Sequence, residues 1–508
     1  MRILAAVDIG SNSVRLKIAK LVRSRLDTLH EDREVTRLGE SVFRNGTLSP
    51  EAIANTVKVL ERFRRACKEH RVDQVRVVAT SATRDAKNAS TFSEWVRRAT
   101  GWKVEVISGL EEGRLIHLGT IANSRGLPKR VLFFDLGGGS CEITLSEEGH
   151  IRQVFSLPLG AVRLTQEFIR SDPPTAPEFR RMHDYVREEL VRVAAAVRDS
   201  KPELTIATSG TAAALNTAAR QFERKKRLAS DVTTREATFA LLDHLSVLDA
   251  RRRAELPGIN ARRAEIIVAG AMVFAELLRT YDLPAFRYSA RGLRDGILAQ
   301  MAAEIDDETR EFRQIEEERE DAILAMCKRY SINPKYAVQV RLLAREIFNQ
   351  LVKPYGLSEQ YGPILDCAAM LHECGYYVNR SGRHRHTWYL LVHSEIFGFD
   401  QYERLLLAAV ARYMGKSRPE FDDRPLRLLT AEDRAAIPKL VAILRMARAL
   451  NQSRRAAISH VRVRTRTKSI IMALQRRSTR LGDLEVWAAE KERPYFETVF
   501  ERGVLFDF

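Results

Sequence analysis

No stretch of this 508-residue chain is apolar for long enough to cross a bilayer as a helix, which takes about 20 residues. Arg2 precedes an apolar run of the kind that opens a secretory leader, but Asp8 cuts it too short. Cysteine is scarce. The five (Cys67, Cys141, Cys327, Cys367 and Cys374) are odd in number and show no metal-ligand spacing, so neither a disulfide framework nor a zinc site is indicated. Reduced thiols and a cytoplasmic location are expected. Acidic side chains are also in deficit, 66 against 83 Lys and Arg, a net charge of +17. Such a field favours polyanions (nucleic acid, acidic lipid or polyphosphate) without choosing among them. The length calls for two to four domains.

What is present centres on Phe134-Asp135-Leu136-Gly137-Gly138-Gly139-Ser140-Cys141-Glu142. It reads as a strand, a glycine turn and a returning strand. Three glycines allow backbone N–H groups to converge on a small anion, and Ser140 adds a hydroxyl. Asp135 and Glu142 can meet across the turn, and two carboxylates beside a phosphate pocket suit a hard cation such as Mg²⁺. A glycine-rich hairpin in which Asp135 only stabilises the turn fits the same residues.

An internal echo bears on that choice. Val7-Asp8-Ile9-Gly10-Ser11-Asn12-Ser13 repeats the pattern, with Asp8 and Asp135 127 positions apart (135 − 8). Val77-Val78-Ala79-Thr80-Ser81 returns as Thr205-Ile206-Ala207-Thr208-Ser209, with Thr80 and Thr208 128 apart (208 − 80). Two motif pairs in nearly one register indicate a duplicated α/β domain, whose facing halves make a cleft for a substrate with several phosphates.

Along the chain, residues 3–9 and 14–22 predict strands, Arg37 to Asn45 an irregular segment, and Ser49-Pro50-Glu51 a helix start with Ile53, Val57, Leu60, Phe63 and Cys67 buried. Arg84 follows the strand Val75 to Ala79, where ligands gather in an open sheet; it is a candidate phosphate clamp or a solvated surface arginine. Ser108-Gly109-Leu110-Glu111-Glu112-Gly113-Arg114 opens another helix. Adjacent helical residues diverge by about 100°, so Glu111 and Glu112 cannot both face one cleft, and one is a candidate general base.

These stretches, together with Thr208-Ser209-Gly210-Thr211, Leu256-Pro257-Gly258-Ile259, Arg263-Ala264-Glu265 and Arg291-Gly292-Leu293-Arg294-Asp295-Gly296, resemble the exopolyphosphatase/guanosine pentaphosphate phosphohydrolase family. The resemblance implies an α/β fold of duplicated ribonuclease H-like domains of the actin, Hsp70 and sugar-kinase type, over residues 1–125 and 126–303. It implies that Glu112 activates the attacking water and that Asp135 and Glu142 hold Mg²⁺ or another divalent cation. Asp8, Ser11, Asn12, Ser13, Arg84, Gly137, Gly138, Gly139, Ser140, Ser209, Gly210 and Thr211 would then surround the phosphates. It also implies a homodimer acting on polyphosphate or guanosine pentaphosphate, with no membrane and no specific nucleic acid as partner. The extra helical half and basic balance favour polyphosphate. A kinase of the same superfamily and a catalytically silent polyphosphate or alarmone sensor are the rival readings.

From Glu304 to Glu320 the chain is strongly charged, a boundary into a helical half. Around Leu371-His372-Glu373-Cys374-Gly375-Tyr376 it resembles an α-helical HD-like domain, expected over residues 304–455. The positions matching that domain's metal ligands hold Tyr336, His372-Glu373 and Arg448, so no metal and no chemistry are expected there. His384 and His386 read as part of a basic loop. Residues 456–508 form a small basic strand region in which Arg462, Arg464 and Arg466 line one face, either a polyanion track or a charged edge strand.

Overall fold

The structure, a computed structural model, describes residues 2–22, 25–122, 124, 126–223, 229–305, 310–478 and 482–507. The chain divides into two compact units, Met1–Glu318 and Arg319–Phe508. The first unit contains two sheets of related order. In one, β1 (Arg2–Ile9), β2 (Ser13–Val22), β3 (Arg25–Val35), β4 (Gln74–Ala79) and β5 (Val104–Val106) run β3-β2-β1-β4-β5. In the other, β6 (Arg130–Leu136), β7 (Cys141–Glu147), β8 (His150–Leu157), β9 (Leu204–Thr208), β10 (Val232–Thr234) and β11 (Ala285–Tyr288) run β10-β11-β9-β6-β7-β8. Each has an antiparallel meander of three strands followed by two parallel strands (β1 with β4 and β5, β6 with β9 and β11), and β10 adds an antiparallel edge to the second. The echo in the sequence is therefore an echo in topology.

Period-two alternation sends the two faces of each central strand into different cores. Ala5, Val7 and Ile9 of β1 pack under the helices Pro50–Glu69 and Ala89–Thr100, while Leu4 and Ala6 face Leu115 and Ile297. Asp8 continues the second set. In β6, Leu132, Phe134 and Leu136 join the core under the helix Ile267–Thr280, while Val131 and Phe133 join a smaller cluster that Ile121 covers. Asp135 continues that set. The two aspartates thus end the same face of each repeat, the face covered by the helix Gly109–Ile121.

Two details of the first unit differ from the sequence reading. β3 was not anticipated, because its residues RLDTLHEDREV carry no apolar alternation and stay largely exposed at a sheet edge. The segment expected to be irregular contains a short helix, Gly39–Asn45. Ser49 caps the helix Pro50–Glu69 as expected, its side chain accepting from the Ala52 N–H at 3.2 Å.

The second unit packs the helices Pro334–Leu351, Tyr361–Leu371, Arg383–His393, Gln401–Arg412, Ala431–Ala449 and Asp483–Phe500 with a sheet of β12 (Ile458–Thr465), β13 (Ser469–Arg476) and β14 (Gly503–Asp507). Val461, Ile470 and Phe496 belong to the same core as Val340, Leu407 and Leu444, so residues 456–508 are continuous with the helices rather than a region apart. The compact division falls after Glu318, not after residue 303, since the helix Arg310–Arg329 starts within the first unit. His384 and His386 begin a helix instead of lying in a loop. Among the described residues no helix is long and apolar enough to cross a membrane.

Candidate active site

A cavity of about 450 Å³ opens in the first unit, lined from both sheets. Of the residues expected around phosphate, Asp8, Ser11, Asn12, Ser13, Glu112, Asp135, Gly137, Gly138, Ser140, Ser209, Gly210 and Thr211 all line it. Arg84, Gly139 and Glu142 lie one layer back. Arg84 donates to the Ile107 carbonyl at 2.9 Å and approaches Glu112 at 3.8 Å; an added Cβ on Gly139 would meet Ser81 and Ser11; Glu142 is the register partner of Asp135.

The two glycine turns are built alike. Gly10 N–H donates to the Ser13 carbonyl at 3.1 Å, and Gly137 N–H to the Ser140 carbonyl at 3.0 Å. The carbonyls of Gly137, Gly138 and Gly139 are taken by Ala161 N–H, by Val162 and Arg163 N–H, and by the Arg163 guanidinium. That leaves the amides of Gly138 and Ser140, which line the cavity, for an anion. Beside this turn, after β9, the neighbour of β6 in the same sheet, the helix Ser209–Ala218 presents its first turn to the cavity with Ser209 held at φ +89°. A non-glycine residue in that region is strained, and helix N-termini attract anions. Gly210 has no Cβ where Arg263 Nη2 would sit 2.5 Å away, which lets that guanidinium lie over the helix end.

The helix Gly109–Ile121 turns its two glutamates in different directions. Ser108 caps it, accepting from Glu111 N–H at 3.2 Å. Glu111 turns inward and grips Arg114, a fully buried arginine, through two hydrogen bonds of 2.8 Å; Arg114 also reaches Gln300 and, at 3.5 Å, Glu318. Glu112, about 100° further round, reaches the cavity while only 6 % exposed, and its Oε2 has no hydrogen-bond partner among the described residues.

Carboxylates dominate this inner wall. Burial raises the pKa of Glu112 well above its ordinary value, and Glu142, Asp135 and Asp8 push it further while Arg84 opposes. Glu142 is raised by burial and then by Asp135, against hydrogen bonds from Ser156 and Ser140, and its Oε2 is also unpartnered among the described residues. Asp135, which accepts from the Thr208 hydroxyl, is raised by burial and by Asp8. Asp8 is raised by burial, with Arg15, Arg294 and Arg33 opposing.

The other wall is cationic, and sequence reasoning missed it. Arg15, Arg33, Arg263 and Arg294 line the cavity together with Tyr288. Desolvation, then Arg15 and Arg294, lowers the Arg33 pKa to about 10; burial, then Arg33 and Arg15, lowers that of Arg263 to about 9. These guanidiniums repel one another, a repulsion that a bound anion would relieve. One signal was available: Arg15 lies two residues after Ser13 on a strand, hence on the same face. Arg263 and Arg294 stood inside motifs to which no role had been given.

In the second unit Arg462 and Arg464 are exposed on β12 and Arg466 follows in the turn. The β12 edge is not open: Gln339, Glu346 and Gln350 of the helix Pro334–Leu351 bond its backbone groups, including Ile458, Val461 and Val463. Aggregation control by those arginines is therefore unnecessary on that side. Tyr336, His372 and Arg448 do converge: His372 Nδ1 lies 2.8 Å from the Ala369 carbonyl, its Nε2 is 3.4 Å from the Tyr336 hydroxyl, and burial followed by Arg448 lowers its pKa to about 3.

A cleft between two repeated α/β halves, with a glycine turn on each and buried carboxylates opposite arginines, defines a protein that handles phosphoryl groups. The chain belongs to the Ppx/GppA phosphatase family: the family model matches residues 17–305, and the model for domain III of Ppx/GppA phosphatases matches residues 319–492. It is similar to the crystal structure of the Aquifex aeolicus Ppx/GppA family member, at 32% identity over 60% of this chain and 99% of that one, with a TM-score of 0.50. An exopolyphosphatase from Cytophaga hutchinsonii matches at 26% identity over 60% of this chain and 98% of that one, with a TM-score of 0.56.

Proposed function

We propose that the protein is an exopolyphosphatase, hydrolysing the terminal phosphoanhydride of inorganic polyphosphate and releasing orthophosphate. The observation that carries this reading is the Glu112 carboxylate, buried at the cavity wall with one oxygen that accepts no hydrogen bond among the described residues and has only the Arg84 guanidinium nearby, at 3.8 Å. A group so placed, with its basicity raised, can take a proton from a water directed at phosphorus. The amides of Gly138 and Ser140 and the first turn of the helix Ser209–Ala218 would hold the terminal phosphoryl oxygens. Arg15, Arg33, Arg263 and Arg294 would hold the phosphates behind it.

A divalent cation fits this site. Asp135 and Glu142 are register partners, Glu142 keeps an unpartnered buried oxygen, and the mutual repulsion of the carboxylates is what a cation relieves. No group of three His, Cys, Asp or Glu among the described residues is arranged for a metal, so the remaining ligands would come from water and phosphate, as Mg²⁺ prefers. When bound, the cation would offset charge on the transferring phosphoryl group.

On this reading each half of the first unit is a ribonuclease H-like domain of the actin type. The second unit is an HD-like domain without metal ligands, and the protein is a cytoplasmic homodimer. Guanosine pentaphosphate is the second reading, favoured by Tyr288, an aromatic ring in a cavity wall otherwise built for phosphate. Parallel assays of phosphate release from the two substrates, with and without Mg²⁺, test the assignment. Release from neither would overturn it.

A further inference from the structure

The second unit carries a basic, aromatic surface whose residues do not line the cavity described above. Residues 374–393 include Arg380, Arg383, Arg385, His384, His386 and His393, four aromatic rings and no acid; Glu373 and Glu395 bracket the segment. It folds as a 3₁₀ turn, Cys374–Tyr377, locked on the helix Arg383–His393. A Cβ on Gly375 would lie 1.9 Å from the Arg383 carbonyl, and Gly375 N–H donates to the Thr387 hydroxyl at 3.1 Å. Tyr376, Tyr377 and Tyr389 are 41%, 63% and 58% exposed. The Arg383 guanidinium lies 5.0 Å from the Tyr376 ring centroid, and the Tyr389 and His393 rings are 4.4 Å apart. Arg385, Tyr389 and His393, spaced by four, form one exposed stripe of the helix.

We infer that this turn and helix form a binding face for single-stranded nucleic acid, read without sequence preference through stacking on the tyrosines and phosphate contacts to the arginines. Three alternatives fit less well. Bare polyphosphate has no ring to cover an aromatic face. A duplex keeps its bases inside and offers only its backbone to such a surface. A second copy docking here by two-fold symmetry would set the same cations against each other with no acid in the segment to meet them. His384, whose pKa is lowered by burial and then by Arg412, Arg383, Arg385 and His386, reports how densely the positive charge is gathered.

The test uses the full chain and a short fluorescein-labelled single-stranded RNA of mixed sequence, followed by anisotropy. Binding should weaken with salt, and the triple variant Y376A/Y377A/Y389A should bind at least ~10-fold more weakly while it still melts cooperatively, despite losing the Tyr377–Tyr330 ring contact, and its phosphate release from polyphosphate stays unchanged. The inference is overturned if the triple variant binds RNA as wild type does, or if duplex RNA binds as tightly as the single strand. It is equally overturned if the variant loses affinity for long polyphosphate, which makes the face part of a substrate track. Because phosphate release is read separately, failure here is distinguishable from failure of the hydrolase assignment.

Discussion

Arg15 and Arg33 are register partners on the adjacent antiparallel strands β2 and β3, two like charges directly opposite each other in the cavity wall, with Asp8 the register partner of Arg15 on the other side. Like charges at such a pair destabilise a sheet by roughly 0.2–1 kcal/mol unless an anion lies between them. Asp8 offsets Arg15 from one side only, and on the proposed reading a phosphate between Arg15 and Arg33 would relieve the repulsion that remains.

Arg33→Ala should accordingly raise the melting temperature of the ligand-free protein slightly and reduce the further rise caused by tripolyphosphate. Its KM for polyphosphate should increase about 10-fold to 150-fold, the worth of a charged hydrogen bond of about 1.5–3 kcal/mol. Calorimetry with and without tripolyphosphate checks this. Equal melting shifts in variant and wild type would show that Arg33 does not meet the substrate.

Glu112→Gln should separate stability from activity. The folded-state pKa of Glu112 is raised, so the group's favourable contribution is complete below the unfolded value of 4.5 and is lost as pH rises through the folded value. Above pH 4.5, holding the proton on Glu112 or burying its charge opposes folding. Without divalent cations the glutamine variant should melt higher than wild type at pH 7, with the gap closing toward pH 4.5, while kcat falls by ~10²–10⁴. A gap independent of pH would mean that Glu112 is not a strained charge.

How much of this was legible beforehand depends on locality. Both glycine turns, the Ser49 cap and the helix start after Ser108 depend on neighbours within a few residues, so the chain displays them. The choice between Glu111 and Glu112 depended on a partner: Arg114 claims Glu111 together with Gln300 and Glu318, about 190 and 200 positions away on other helices, and distant pairing leaves no local mark. Arg33, Arg263 and Arg294 were obscured for another reason. In a chain with 83 Lys and Arg, a single arginine carries no signal until the fold sets it beside another. β3 escaped because an exposed edge strand needs no apolar period.

His372 predicts acid sensitivity in the second unit. Burial, then Arg448, lowers its folded pKa to about 3 from the ordinary 6.5, so the unfolded chain takes up a proton first. The stability this confers is present above pH 6.5 and is lost as pH falls toward 3, with a slope of at most about 1.4 kcal/mol per pH unit. Urea midpoints measured by a probe in the second unit should fall across that window, and His372→Gln should flatten the slope even where it lowers stability at pH 7. An unchanged slope would show that some other group titrates.

The position of Glu112 depends on how closely two helices approach. An added Cβ on Gly296, in the helix Leu293–Ala303, would stand 1.8 Å from the Leu115 carbonyl, and one on Gly119 would stand 2.4 Å from Gly296 N. In an open helix Gly→Ala gains about 1 kcal/mol from propensity alone. Here the intruding methyl meets backbone, which cannot swing aside, so an overpacking cost of about 1–3 kcal/mol should dominate. Gly296→Ala should therefore lower the melting temperature. By pushing apart the helix that carries Glu112 and the one that begins beside Arg294, it should also reduce kcat more than it raises KM. Gly292→Ala provides the contrast, because nothing lies nearer its added Cβ than Thr208 Cβ at 3.9 Å, and its melting temperature should stay near that of wild type. If both substitutions were equally harmless, the helices would have room to spare and the placement of Glu112 would owe nothing to their contact.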